Sequence, residues 1–228
     1  MVPIHICASW CIFKVQRGHM AKRDYKDFAV GECHHAFNRG NDKMDIFRDA
    51  EDYLFFLRRL EEALYPDRSV NGHHSQQRNQ RRALPPDSFS LVAFCLMPNH
   101  FHFLILQKTD LPISTLMLKV LTSYSKYFNK KYGRVGSLFQ DQYKTTHIGD
   151  NTQLLHTSAY IHNNPRTDGL TETPESYPYS SFREYLHRDN QSSTFSETKM
   201  VLEQFSDADA YRQFVYESFE VTKRNKEL

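Results

Sequence analysis

Met97-Pro98-Asn99-His100-Phe101-His102-Phe103-Leu104-Ile105-Leu106 constrains the fold more than any other stretch of this chain. Histidine and phenylalanine alternate after Pro98-Asn99, and alternation is the period of a β-strand, whose successive side chains point to opposite faces. His100 and His102 therefore share one face. Phe101 and Phe103 share the other, where a core can take them. Residues 89–97 (FSLVAFCLM) form a second apolar strand, and the short break at Pro98-Asn99 predicts an antiparallel hairpin. Two imidazoles on one face of a buried strand look like half of a metal site, so a third ligand and a chemical partner must come from elsewhere.

The flanking sequence supplies the other elements. Residues 28–37 (FAVGECHHAF) predict a first strand that ends at the turn-like Asn38-Arg39-Gly40-Asn41. Tyr53, Leu54, Leu57, Leu60 and Leu64 recur at helical spacing, which predicts a helix over 49–64 with Asp49 as N-cap. Residues 66–87 are polar, Pro-bounded and rich in Gln, Asn and Arg, and are expected to form a mobile loop with a solvated Arg78–Arg82 run. A long helix is predicted over 114–132, ended by Gly133 and Gly136, then a strand over 141–148. A second long helix, 151–163, should stop at Pro165. A turn and helix over 174–188 and an amphipathic helix over 207–221 follow, with a charged, frayed tail.

This β-α-β-β-α-β-α order predicts an α+β fold. Its core would be a ferredoxin-like, RRM-like four-stranded antiparallel sheet with helices on one face, plus a C-terminal helical extension. The organisation expected is a flexible leader over 1–24, a catalytic domain over 25–169 and the extension over 170–228.

Composition narrows the function classes. With 228 residues, 39% hydrophobic and 25% charged, the chain has an ordinary globular make-up, and it lacks an apolar run long enough to cross a membrane. The net charge is only +2, so nucleic-acid binding would need a local basic patch. Residues 124–134 offer one, interleaving Lys126, Lys130, Lys131 and Arg134 with aromatic rings that could stack on unpaired bases. Cys7, Cys11, Cys33 and Cys95 form no CxxC and no disulfide framework, which suits reduced thiols inside a cell.

Tyr160 and Asn164 lie four residues apart and share a helix face, with Pro165 placing the pair at the helix end. His-Phe-His on a strand followed by Tyr-x-x-x-Asn on a helix resembles the HUH single-tyrosine transposases of the insertion-sequence-200-like type. The match is nearest to the REP-associated tyrosine transposases. It extends to Phe37-Asn38-Arg39-Gly40-Asn41 before Ile46-Phe47, to Gly136-Ser137-Leu138-Phe139-Gln140 with Tyr143-Lys144, to Tyr160-Ile161-His162-Asn163-Asn164-Pro165, and to Tyr177-Pro178-Tyr179-Ser180-Ser181-Phe182 with Tyr185-Leu186. Together these pieces run from about residue 25 to 190.

The resemblance implies an enzyme that cleaves and rejoins hairpin-bearing single-stranded DNA through a 5′-phosphotyrosine. Tyr160 would be the nucleophile. His100, His102 and Asn164 would hold Mg²⁺ or Mn²⁺, although related enzymes often carry Gln at the third position and Asn is a methylene shorter. Arg39 and Asn41 would read a short guide sequence beside the hairpin, and Lys144 would join Lys126, Lys130, Lys131 and Arg134 in contacting DNA. The protein would be cytoplasmic and nucleoid-associated in a prokaryote, with no membrane partner, as a monomer or a homodimer. Two alternatives stay open: a domesticated relative that binds hairpins without cutting, and a metal-dependent nuclease that uses water.

Other residues invite plainer readings. Tyr124 and Tyr127 fit the apolar stripe of their helix better than a nucleophile's position. His156 and His162 read as solvated or one layer out from the site, with no direct role. His34 and His35 place one imidazole on each face of the first strand, so one of them could support the metal site.

Overall fold

The computed structural model describes residues 30–66, 83–186 and 195–227. The expected leader, the Arg78–Arg82 run and the start of the first predicted strand lie outside the described residues. The elements are β1 (Cys33–Arg39), α1 (Ala50–Leu64), β2 (Phe89–Met97), β3 (His100–Gln107), α2 (Ile113–Lys131), β4 (Lys144–Ile148) and α3 (Asn151–Thr167). Four shorter helices follow: α4 (Phe182–Leu186), α5 (Lys199–Leu202), α6 (Ala208–Glu217) and α7 (Phe219–Glu227). The single helix expected over 207–221 is thus two, with Ser218 between them, and helix continues through the tail that was expected to fray.

The strands form one four-stranded sheet in the order β2-β3-β1-β4, with every neighbouring pair antiparallel. This is the α+β, ferredoxin-like arrangement. β2 and β3 make the predicted hairpin, with Met97 paired to His100 across the Pro98-Asn99 turn. Val92 is an extra residue in β2, seen as a register shift between Leu91 and Ala93. It lets both Val92 and Ala93 join one core while Leu91 and Phe94 serve the other.

Two cores flank the sheet. Phe101, Phe103, Ile105, Leu91 and Phe94 pack with Phe56 and Leu60 of α1 and Leu116, Val120 and Tyr124 of α2. Ala93, Cys95, Met97 and Leu104 pack with Ile161 of α3 and with Phe182, Tyr185, Tyr211 and Val215 of the C-terminal helices. Helices on one face therefore describe α1 and α2 alone. α3 and the extension cover the other face, because β2 and β3 are apolar on both sides and must be buried twice.

Local chemistry fixes the helix ends. Asp49 and Asp150 are N-caps whose carboxylates accept from the amides of Asp52 and Gln153. Pro165 does not stop α3 as expected. The helix runs two residues further and ends in a Schellman motif, in which Gly169 (φ +70°) donates to Arg166 O and Leu170 donates to Pro165 O. Asn164 therefore sits within the last turn, not at the terminus.

Candidate active site

The register of the sheet builds the site. Phe37 of β1 lies directly opposite His102, and Arg39 opposite His100. On the far side of β1, Lys144 of β4 lies opposite Phe37. Directly paired residues share a face, so His100, His102, Phe37, Arg39 and Lys144 all project to the side where α3 packs. His35 is paired with Leu104, one diagonal step from His102 on the same face.

Tyr160 comes down onto this histidine layer from α3. Its ring meets the His102 ring edge-on, with centroids 5.5 Å apart, and the His35 ring at 5.9 Å. The His100 and His102 rings are 5.1 Å apart. Burial pushes the Tyr160 phenol up to about 12, partly countered by the Asn164 amide. The phenol is thus protonated at neutral pH. Burial lowers the His35 imidazole to about 4, so it is neutral there.

Each histidine of the pair has a partner at Nδ1. His100 Nδ1 lies 2.6 Å from Asn99 Oδ1, and an amide oxygen can only accept, so His100 carries its proton on Nδ1 and its lone pair on Nε2. His102 Nδ1 lies 2.9 Å from His35 Nε2. Asn164 is fully buried and its Nδ2 donates to the Tyr160 carbonyl at 2.8 Å, yet its Oδ1 has no hydrogen-bond partner among the described residues. A buried acceptor left in this state costs about 1–3 kcal/mol, and a cation is one group that would satisfy it. Two imidazoles and an amide oxygen form a donor set suited to a divalent ion that also takes oxygen ligands. Among the described residues no three His, Cys, Asp or Glu side chains form a metal cage, so the third donor would have to be of another kind.

The expected DNA-contacting residues divide between two layers. Arg39 and Lys144 are exposed beside the histidines, and Asn41 follows at the end of β1. Lys126 and Lys130 are exposed on α2, across the sheet, with Arg134 just beyond it. Lys131 is engaged elsewhere: its Nζ lies 2.8 Å from Asp49, 2.9 Å from Glu51 and 2.9 Å from Asp52, tying α2 to α1. The rings of that segment face inward as well. Tyr124 is fully buried and donates to Ile46 O, and Tyr127 stacks on Phe55 at 3.8 Å. Neither is placed to stack on a base or to act as a nucleophile beside the histidines.

The motif pieces, scattered in sequence, meet at one end of the sheet. Gly40 donates to Asn99 O, Ile46 and Phe47 donate to Pro98 O, and Gln140 donates to Arg39 O. Gly40 is required by this packing, since a Cβ there would lie 2.2 Å from Met44 O. The Tyr177–Tyr185 piece covers the open edge of β2, where Leu96 donates to Tyr179 O and Ser181 to Phe94 O. His162 is not solvated as expected. It is fully buried, with Nδ1 2.8 Å from Tyr211 Oη and Nε2 2.8 Å from Ser181 Oγ, and burial lowers it to about 3. Asn163 adds a bond to Val215 O, and Arg166 lies over the Phe219 ring at 3.8 Å. These contacts seat the tyrosine helix on the C-terminal helices. The sequence signal for His162 was its place on the apolar side of α3, two positions from Tyr160.

Comparison with known proteins agrees with the fold. Residues 79–164 match the family of IS200-like transposases. The chain is also similar to a Haemophilus influenzae protein named as a REP-associated tyrosine transposase, at 31% identity over 120 residues. That alignment spans 48% of this chain and 65% of the relative's length. The fold also matches a solved structure of a REP-associated tyrosine transposase bound to a REP hairpin, with TM-score 0.50 and 16% identity over 71% of this chain and 82% of that one.

Proposed function

We propose that this protein cleaves and rejoins hairpin-bearing single-stranded DNA, with Tyr160 as the nucleophile. The observation that carries this reading is the edge-on contact of Tyr160 with His102, on the face where both β3 histidines emerge. In the cleavage step Tyr160 Oη bonds to phosphorus as the bond from phosphorus to the 3′ oxygen breaks. The phenol loses its proton, the departing 3′ oxygen gains one, and no water is consumed. The resulting 5′-phosphotyrosine keeps the phosphodiester's energy, so attack by a 3′ hydroxyl rejoins the strand.

Burial holds the Tyr160 phenol up at about 12, so attack requires a group at the site that favours its deprotonation. Mg²⁺ or Mn²⁺ held by His100, His102 and Asn164 would supply Lewis-acid polarisation of the scissile phosphate. Asn99 keeps His100 in the tautomer with its lone pair on Nε2. Arg39 and Lys144, at the rim of the histidine layer, are suited to hold the phosphates flanking the cut, with Asn41 available to a base edge. Lys126 and Lys130 are exposed on α2, across the sheet from the histidines, and would meet only DNA that continues past the end of the sheet, while Arg134 lies over the Phe128 ring at 5.9 Å.

The test uses the whole protein, a 3′-labelled single strand carrying a hairpin, and Mn²⁺. Wild type should form a denaturant-stable protein–DNA adduct, and Tyr160→Phe should lose it entirely while keeping hairpin affinity within about twofold. Cleavage that persists in Tyr160→Phe would instead indicate attack by water. Binding without cleavage in wild type would indicate a binding module.

A further inference from the structure

We infer that His35 is a positioning residue for His102, setting the tautomer in which His102 can bind a metal ion. The inference rests on the metal reading of the His100–His102 pair but concerns a residue that reading does not use.

The geometry is specific. His35 Nε2 lies 2.9 Å from His102 Nδ1, and the two rings are stacked 24° from parallel with centroids 5.1 Å apart. Exactly one of the facing nitrogens can carry the shared proton. If His102 donates, its proton is on Nδ1 and its lone pair is on Nε2, as in His100. If His35 donates, His102 accepts at Nδ1 and is protonated at Nε2, which then cannot be a ligand. Only the first arrangement gives β3 two matching imidazoles, and it makes His35 the acceptor. Asn99 does for His100 what His35 would do for His102: each supplies an acceptor at 2.6 Å or 2.9 Å to the Nδ1 side. Metal-binding histidines generally have such a partner, and losing it typically weakens metal affinity about 10–100-fold.

The sheet holds His35 to this task. Its backbone is in β1 between the β3 and β4 ladders, with Leu104 on one side and Thr146 on the other. A shift of one residue in register would turn His35 to the opposite face. Phe37 lies 5.0 Å from the His35 ring and 5.7 Å from the His102 ring, and Tyr160 closes the remaining side. His35 is not a third metal-cage member by geometry, since no three such side chains converge among the described residues.

The experiment compares wild type, His35→Ala and His35→Gln as full-length proteins. Long-range ¹⁵N correlation spectra of histidine-labelled, metal-free protein report the tautomer of His102 directly. The expected result is Nδ1–H in wild type and a mixture in His35→Ala. Calorimetric titration with Mn²⁺ alone should show His35→Ala weakened about 10–100-fold. His35→Gln, whose Oε1 can accept from Nδ1–H, should stay within a few-fold of wild type. Hairpin binding in EDTA should be unchanged in all three. Nε2–H at His102 in the wild type, or Mn²⁺ affinity in His35→Ala equal to wild type, overturns the inference. Equal loss in His35→Gln and His35→Ala would make His35 a ligand and also overturn it. Wild type that shows the expected tautomer yet binds no Mn²⁺ would break the metal reading and leave the His35–His102 assignment standing.

Discussion

The two faces of β3 divide the work of the protein. On one face Phe101 and Phe103 enter an aromatic core with Phe56, where the centroid distances are 5.5 and 6.0 Å and no polar group is needed. On the other face, one residue away along the same strand, His100 and His102 are half-buried or buried among His35, Phe37 and Tyr160 and are held by hydrogen bonds. Stability from dispersion and apolar burial is nondirectional and tolerates adjustment. Stability of a buried polar layer depends on every partner being present. Alternation along a strand lets one segment carry both without either compromising the other.

The largest expected effect tests that division. Phe101→Ala removes a fully buried ring from the first face and should cost about 3–5 kcal/mol by urea denaturation. The adduct formed per folded molecule should change little. His102→Ala should do the reverse: adduct formation lost, a smaller stability cost of about 1–3 kcal/mol as His35 loses its partner, hairpin affinity retained. If His102→Ala destabilises as much as Phe101→Ala, the second face is a core and not a site.

The second comparison lies within the polar face itself, between its open histidine pair and the sealed His162. Burial lowers His162 from 6.5 to about 3, so the unfolded chain binds a proton below pH 6.5 that the folded chain refuses. The sign follows: above 6.5 this residue has no effect on pH dependence, and stability falls as pH drops from 6.5 toward 3. Between pH 6.5 and 5 the loss from this one group is about 2 kcal/mol. His162→Gln, which keeps a side-chain donor and acceptor, should flatten the slope over this window by nearly one proton. An unchanged slope would mean that His162 is not sealed by Tyr211 and Ser181.

Much of this organisation was legible because it follows from period and spacing. The β2–β3 hairpin, its break at Pro98-Asn99 and the phenylalanine-in, histidine-out split of β3 need only alternation. α1 and α3 announce themselves through capping aspartates, and α2 through apolar recurrence. What could not be read depends on register or on distant partners. Nothing local says that His35 sits diagonally from His102, because that follows from Phe37 pairing with His102 across β1 and β3. Pro165 was misjudged because local preference favours a break, whereas a helix near its end loses only one bond to proline and then closes on Gly169. The ion cluster at the end of the basic helix was not legible either, because lysine and tyrosine side chains suit a basic surface and an ion cluster equally, and Lys131 and Tyr132 go to the cluster. Helix was legible over 182–186 and 208–221 but not at Lys199–Leu202, and the seat of the C-terminal helices on α3 rests on His162 and Asn163, whose hydrogen-bond partners lie far along the chain.

The smallest expected effect on stability sharpens the contrast most. Asn164 combines a satisfied Nδ2 with an unpaired Oδ1, so it is a structural residue at one atom and a candidate ligand at the other. Asn164→Ala deletes both. The lost bond to Tyr160 O and the relief of the orphaned oxygen oppose each other, leaving a net change within about 1 kcal/mol. Mn²⁺ affinity measured by calorimetry should nonetheless fall about tenfold or more if Oδ1 is the third donor. Asn164→Leu separates the two roles further. If Oδ1 were only a misfit in an apolar helix packing, Leu would raise the melting temperature and leave Mn²⁺ binding intact. If it is a ligand, Leu weakens Mn²⁺ binding as much as Ala does, and the cost of keeping an unpaired oxygen in the tyrosine helix is explained by the ion it receives.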